Sequence, residues 1–268
     1  MRFVGVDLTS AFSKKPRAID IAILDDTLNV KFAKMRWPAP ADVRGRNIPA
    51  FQAALRAAVP EPHDDVVWAI DGPQGLALDG HPMRTCERQL GTPGRTPHAL
   101  PDHASTAPFQ GYIRSSIDLF ATMLAIAFKL DLAGDAGVAL KDATLYEVFP
   151  GAEWAVLAGA RLSSKTSQAG RTERRQLFEH LAVQGLSALP TADENDALVG
   201  AYLAWCTRHR LAHATLTGSA PVRAAAVDLR EGYILHATPA ARAVGWAPAR
   251  AAAPRVAIGT APDECDRR

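Results

Sequence analysis

Cysteine is scarce in this chain. Only Cys86, Cys206 and Cys265 occur among 268 residues, far apart and with no C-x-x-C. Neither a disulfide framework nor a structural zinc site is supported, and a reducing compartment fits best. Long apolar runs are missing too. The greasiest, Leu119 to Phe128, is closed by Asp118 and Lys129 and is too short to span a bilayer. The opening MRFVGVDLTS reads as a strand and lacks the apolar stretch of a signal peptide. These absences predict a cytoplasmic protein with no membrane partner. Net charge is almost absent, since 30 Lys and Arg against 28 Asp and Glu leave +2. That excludes a bulk electrostatic nucleic-acid binder and leaves room only for a local basic patch. No G-x-x-x-x-G-K-[ST], G-x-G-x-x-G or G-x-S-x-G occurs, which argues against P-loop, dinucleotide and serine-hydrolase enzymes.

What is present suffices for a large core. Hydrophobic residues make up 48%, and a chain of this length buries roughly 70–75% of its unfolded surface. Of the 30 basic residues 23 are Arg and 7 Lys; Arg grips phosphates and carboxylates through its planar fork, although an Ala- and Arg-rich composition also reflects genome bias. Phe3 to Leu8, Ala18 to Leu24 and Leu28 to Trp37 read as three strands, the last two joined by a turn at Asp25-Asp26. Asn47 is placed to cap a helix carrying Phe51, Leu55 and Val59 on one stripe. Val66 to Ile70 reads as a buried strand ended by Asp71-Gly72-Pro73. Residues 91–111 are rich in Gly and Pro and carry His98 and His103, an irregular insertion of the kind that serves as a lid or binding loop. A helix is expected at about 112–133 and a strand at 143–149. Helices follow near 151–159, 171–184 and 193–209, then β character at 224–229 and 233–236. Strands covered from both sides by helices make an α/β domain on a mixed sheet. One domain is expected over 1–246, with a frayed tail at 247–268.

Acidic residues sit where apolar strands end. Asp7 closes Val4-Gly5-Val6, and Asp71 closes Val66-Val67-Trp68-Ala69-Ile70. A carboxylate in such a setting is costly unless paired, hydrogen-bonded or bound to a cation. If the two strands are parallel neighbours, both carboxylates reach the crevice where α/β sheets bind ligands. The plainer alternative makes Asp71 a turn residue and Asp7 a loop cap. Glu147 lies within Leu145-Tyr146-Glu147-Val148-Phe149 and either joins the acidic group or pairs with an Arg. Asp193-Glu194-Asn195-Asp196 opens a helix lined with Ala197, Gly200, Ala201 and Ala204. Capping accounts for Asp193, but Asp196 lies further in and needs a partner. Several carboxylates without a His or Cys set imply a hard ion, Mg²⁺ or Mn²⁺, and two such ions serve in-line phosphoryl displacement.

Basic and imidazole groups complete the inventory. Arg171, Arg174 and Arg175 share one helical face near Lys165. Either they hold phosphates, with Lys165 and Arg174 foremost, or they form a solvated face paired with Glu173 and Glu179. His81, His98 and His103 follow the Asp71 strand; loop histidines act as acid or base only when placed against a substrate.

Five segments, GVDLT at 5–9, IDGPQG at 70–75, MRTCERQL at 83–90, YEVFP at 146–150 and DENDALVGAYLAW at 193–205, together resemble the ordered motifs of the domain-of-unknown-function 429 family. Its members are described as predicted nucleases of ribonuclease H-like fold. The resemblance implies a mixed sheet whose first three strands are antiparallel, with the fourth beside the first. It implies Asp7 at the centre, Asp71 next to it and Asp196 approaching from the C-terminal helix. Glu147 matches the acid of an E-x-x-P strand end, and Arg84 matches the Arg of an R-x-C segment; Glu87, standing where Asp is usual, is left out of the metal set.

The expectation is therefore a ribonuclease H-like α/β domain acting as a Mg²⁺- or Mn²⁺-dependent phosphodiester hydrolase on nucleic acid. Asp7, Asp71 and Asp196 would ligate metal, Glu147 would be a fourth ligand or base, and Arg84, Lys165 and Arg174 would contact substrate. The rivals are an ATPase or phosphotransferase of the actin and sugar-kinase type, and a non-catalytic binding module. A kinase of that type needs two domains and a phosphate loop, where Pro73 removes a donor.

Overall fold

The structure is a computed structural model and describes residues 1–248 apart from 39–47, 61–64, 103–107, 126–129, 136 and 226–227. The expected cap Asn47, the loop residue His103 and nearly all of the expected tail at 247–268 lie outside the described residues.

The apolar runs pair as one seven-stranded sheet. Its strands are Arg2–Asp7 (β1), Ile19–Asp25 (β2), Val30–Met35 (β3), Val66–Asp71 (β4), Leu145–Val148 (β5), Ala214–Ala225 (β6) and Asp228–Ala237 (β7). The order across the sheet is β3-β2-β1-β4-β5-β7-β6. The first three strands are antiparallel, β1, β4, β5 and β7 run parallel, and β6 returns antiparallel to β7. This is an α/β fold on a mixed sheet, consistent with the ribonuclease H-like arrangement.

Helices cover both faces, as runs buried on both sides require. In chain order they are Ile48–Ala58 (α1), Thr85–Leu90 (α2), Gln110–Ala125 (α3), Pro150–Ala158 (α4), Gln168–His180 (α5) and Ala192–His209 (α6). One face of the sheet packs against α4, α5 and α6 through Phe3, Val67, Ala69, Tyr146 and Val148. The other packs against α1 and α3 through Val4, Val6, Trp68, Ile70 and Leu145. The short α2 lies beyond the end of β4. The two-residue period of a strand thus sorts side chains by face. Phe3, Gly5 and Asp7 turn toward α6, while Val4 and Val6 turn toward α3.

The expected strand at 224–229 straddles the junction of β6 and β7 and misses most of β6. That strand carries Gly218 and Pro221, with a register shift between Ser219 and Val222. An edge strand with a bulge tolerates both residues and so loses the β-branched signature. No helix among the described residues is long and apolar enough to cross a membrane.

Candidate active site

Asp7 and Asp71 are register partners at the carboxyl ends of the parallel strands β1 and β4. Each is preceded two residues earlier by a small residue on the same face, Gly5 and Ala69, and helix α6 lies directly over both. A methyl group at Gly5 would overlap the Ala197 carbonyl oxygen, so only glycine admits the helix at this depth. That approach brings the first turns of α6, with Asp193 and Asp196, over the two strand ends.

The α6 terminus divides its acids by task. Thr191 and Glu194 form a reciprocal cap: the Glu194 amide donates to Thr191 Oγ1 at 3.0 Å and the Thr191 amide to Glu194 Oε2 at 2.8 Å. Capping therefore falls to Glu194, and Asp193 and Asp196 are left for other work. Asp196 accepts from Trp154 Nε1 at 2.9 Å and pairs with Lys165. Asp193 meets the β1–β2 loop, where Arg17 Nη2 lies 3.0 Å from Asp193 Oδ2. A further acid, Asp20, is the register partner of Asp7 on β2 and is held by Lys34 Nζ at 2.6 Å.

Three of these aspartates thus have a cation of their own, Asp20 with Lys34, Asp193 with Arg17 and Asp196 with Lys165. Asp7 and Asp71 form no ion pair with any described residue, and the charge of Lys165 acts on both from a distance. Their neighbours are each other and the Tyr112 hydroxyl, which donates to Asp71 Oδ1 at 3.0 Å. Burial, followed by the charges of Asp71, Asp196 and Asp193, pushes the Asp7 carboxyl up. Burial, followed by the charge of Asp196, raises Asp71 in the same direction. Two adjacent carboxyls of this kind hold a proton between them or take up a cation in its place.

Glu147 stands apart from this pair. Its register partner is Ile70, not Asp71, so it turns toward the opposite face of the sheet. Both oxygens face Arg84, at 2.6 and 2.7 Å, and Oε2 also accepts the Gln74 amide at 2.9 Å. Arg84 is only 1% exposed and pairs with Glu87 as well, at 3.0 Å. Burial alone would lower the Arg84 pKa, but the two carboxylates hold it well above its ordinary value. Glu87 in turn accepts the Thr96 amide at 3.0 Å, which ties the loop after α2 to the site. The expected substrate contact Arg84 is therefore already engaged by carboxylates.

Arg174 is also placed differently from expectation. It is buried, donates to the Ser163 and Gly170 carbonyls at 3.0 and 2.8 Å, and lies 4.9 Å over the Trp154 ring. It steadies the indole that holds Asp196 and does not line the cavity.

That cavity, of about 610 Å³, opens over the aspartates. Asp7, Asp71, Lys165, Asp193, Arg84 and Glu147 line it, and Lys15 and Arg17 reach it from the β1–β2 loop. Neither His81 nor His98 is on its lining. Sequence reasoning missed Asp20 and Tyr112. The signal for Asp20 was present, an acid between Ile19 and Ile21; nothing local marks Tyr112, whose role comes from where α3 crosses the sheet.

The donor set suits a hard divalent ion. Mg²⁺ is commonly held by one or two carboxylates together with substrate oxygens and water, and Asp7 with Asp71 offers such a pair. Among the described residues no group of three His, Cys, Asp or Glu side chains is assembled to hold a metal, and Asp196 is turned to Lys165 and Trp154.

The chain belongs to the family described as Protein of unknown function (DUF429), whose model matches residues 5–216. No curated protein and no solved structure matches it.

Proposed function

We propose that the protein is a cytoplasmic, divalent-metal-dependent phosphodiester hydrolase acting on nucleic acid. The observation that carries this reading is the pair itself: Asp20, Asp193 and Asp196 each have an ion-pair partner, whereas Asp7 and Asp71, side by side on the cavity lining, form no ion pair with any described residue. Two buried free thiols, Cys86 and Cys206, fit a reducing compartment.

On this reading Asp7 and Asp71 would hold Mg²⁺ or Mn²⁺, with Asp196, now bonded to Lys165 and Trp154, as a further ligand. A bound divalent ion supplies Lewis-acid stabilisation of charge developing on phosphoryl oxygens. Tyr112 fixes the orientation of Asp71 through its hydroxyl. Lys165 lines the cavity and would meet a substrate phosphate there. Arg84 and Glu147 brace the turn after β4 through Gln74 and keep the cavity wall in place.

The test is a cleavage screen in Mg²⁺ and in Mn²⁺ on single- and double-stranded DNA, RNA, an RNA–DNA hybrid and a branched junction, beside Asp7→Asn. Metal-dependent cutting that disappears in the variant is expected. Full turnover by Asp7→Asn, or no cutting of any substrate, would overturn the assignment.

A further inference from the structure

We infer that the cavity is a subsite for one unstacked nucleotide of a single strand, its base laid on Phe109 and its phosphate drawn to Lys15 and Arg17. This deepens the function proposed above and rests on it for the class of polymer.

Phe109 lines the cavity, is 49% exposed, and is the one aromatic among the exposed large hydrophobic side chains of the described residues. Its ring stacks on no aromatic ring among the described residues. The backbone at Phe109 has φ +64°, a conformation that bulky residues rarely adopt. The surroundings hold it there. The Phe109 carbonyl accepts the Ile113 amide at 2.8 Å, at the start of α3. Tyr112, three residues on, donates to Asp71, so one helical turn links the aromatic platform to the acidic pair. The ring lies beside Gly94, in the loop anchored through Thr96 to Glu87.

Charge is distributed to match. The β1–β2 loop places exposed Lys15 and Arg17 on the same lining as Asp7 and Asp71. Arg17 is engaged by Asp193, and Lys15 forms no ion pair with any described residue. At about 610 Å³ the cavity is in the range of small-ligand sites. Bases within a duplex have both faces covered by their neighbours, so only an unpaired or extruded base can lie on Phe109. Because every base has a π-face, such a platform selects for single strands and not for sequence.

The test measures binding of adenosine 5′-monophosphate and of ribose 5-phosphate by calorimetry in Mg²⁺ buffer. Both probes carry the phosphate, and only the first carries a base. Wild type is expected to bind the nucleotide about tenfold more tightly. Phe109→Ala should erase that difference and Phe109→Trp should keep it, with circular dichroism confirming that both variants fold. Equal affinities, no binding of either probe, or an unchanged preference in Phe109→Ala would overturn the inference. A parallel cleavage arm compares a single strand with the same strand annealed to its complement. A Phe109-dependent preference for the nucleotide without any cleavage leaves the subsite standing and removes the hydrolase. Cleavage of both substrates at equal rates in wild type and Phe109→Ala removes the subsite and leaves the hydrolase.

Discussion

Gly5 on β1 and Ala197 on α6 meet backbone to backbone: a Cβ at Gly5 would overlap the Ala197 carbonyl oxygen and lie 2.5 Å from the Ala201 amide nitrogen. The contact sets the depth at which α6 lies on the sheet, and with it the approach of Asp196 to Asp7. Gly5→Ala is expected to destabilise the fold by about 1–3 kcal/mol or more, because neither backbone can yield without moving an element. Urea denaturation of the variant measures the loss; an unchanged midpoint would contradict the close approach.

Arg84 holds two buried carboxylates, Glu147 and Glu87. Arg84→Met strands both, and breaking a buried pair costs about 3–5 kcal/mol. The double variant Arg84→Met with Glu147→Leu should recover part of that loss, since one unpaired charge is then gone. Chemical denaturation of the two variants checks the order; a double variant less stable than the single would count against the pairing.

The aspartate pair predicts opposite responses to charge removal and to metal. Burial and like charge raise the Asp7 carboxyl, so its ionised form costs stability, and that cost grows as pH rises above the ordinary carboxylate value. Asp7→Asn should therefore melt at a higher temperature than wild type in chelator at neutral pH. Added Mg²⁺ should raise the melting temperature of wild type, by an amount equivalent to about 2.7 kcal/mol at a hundredfold excess over Kd, and leave Asp7→Asn unmoved. Thermal melts with and without Mg²⁺ decide it.

A second titration lies away from the cavity. His236 Nδ1 is 2.7 Å from Glu153 Oε1, and Glu153 Oε2 accepts the Ala237 amide at 2.7 Å. The hydrogen bond that His236 makes to Glu153 raises the His236 pKa. Its contribution is complete below about 6.5 and is lost as pH rises through the folded value. Burial raises Glu153 as well, and its ionisation cost grows with pH in the same direction. Stability should decline above about pH 6.5 in wild type. In Glu153→Gln the decline should be shallower, the remainder coming from Asp7, whose raised carboxyl does not depend on Glu153. Denaturation midpoints from about pH 6 to about pH 8.5 measure both slopes.

Much of the fold was legible because local physics dictates it. Phe3 to Leu8 and Val66 to Ile70 are strands in any context that buries them, and their β-branched and aromatic content says so. The small residues Ala197, Gly200, Ala201 and Ala204 announced a helix lying close to the sheet. β6 was hidden because Gly218 and Pro221 are tolerated only where an edge strand bulges.

Residue type and order are enough to establish that acids end two buried strands and open a closely packed helix, since burial and the two-residue period follow from them. Which acids remain without a cation is a property of the folded arrangement. Lys34, Arg17 and Lys165 reach Asp20, Asp193 and Asp196 from three separate elements, and Arg84 engages Glu147 from the boundary of α2. Ion pairing is set by distance in space, between residues as remote in the chain as Arg17 and Asp193, and no local pattern encodes it. For the same reason Glu147, alike in sequence to the aspartates, faces the other side of the sheet: its register against Ile70 is fixed by the pairing of β4 with β5, a contact between segments that the chain separates by α2 and α3.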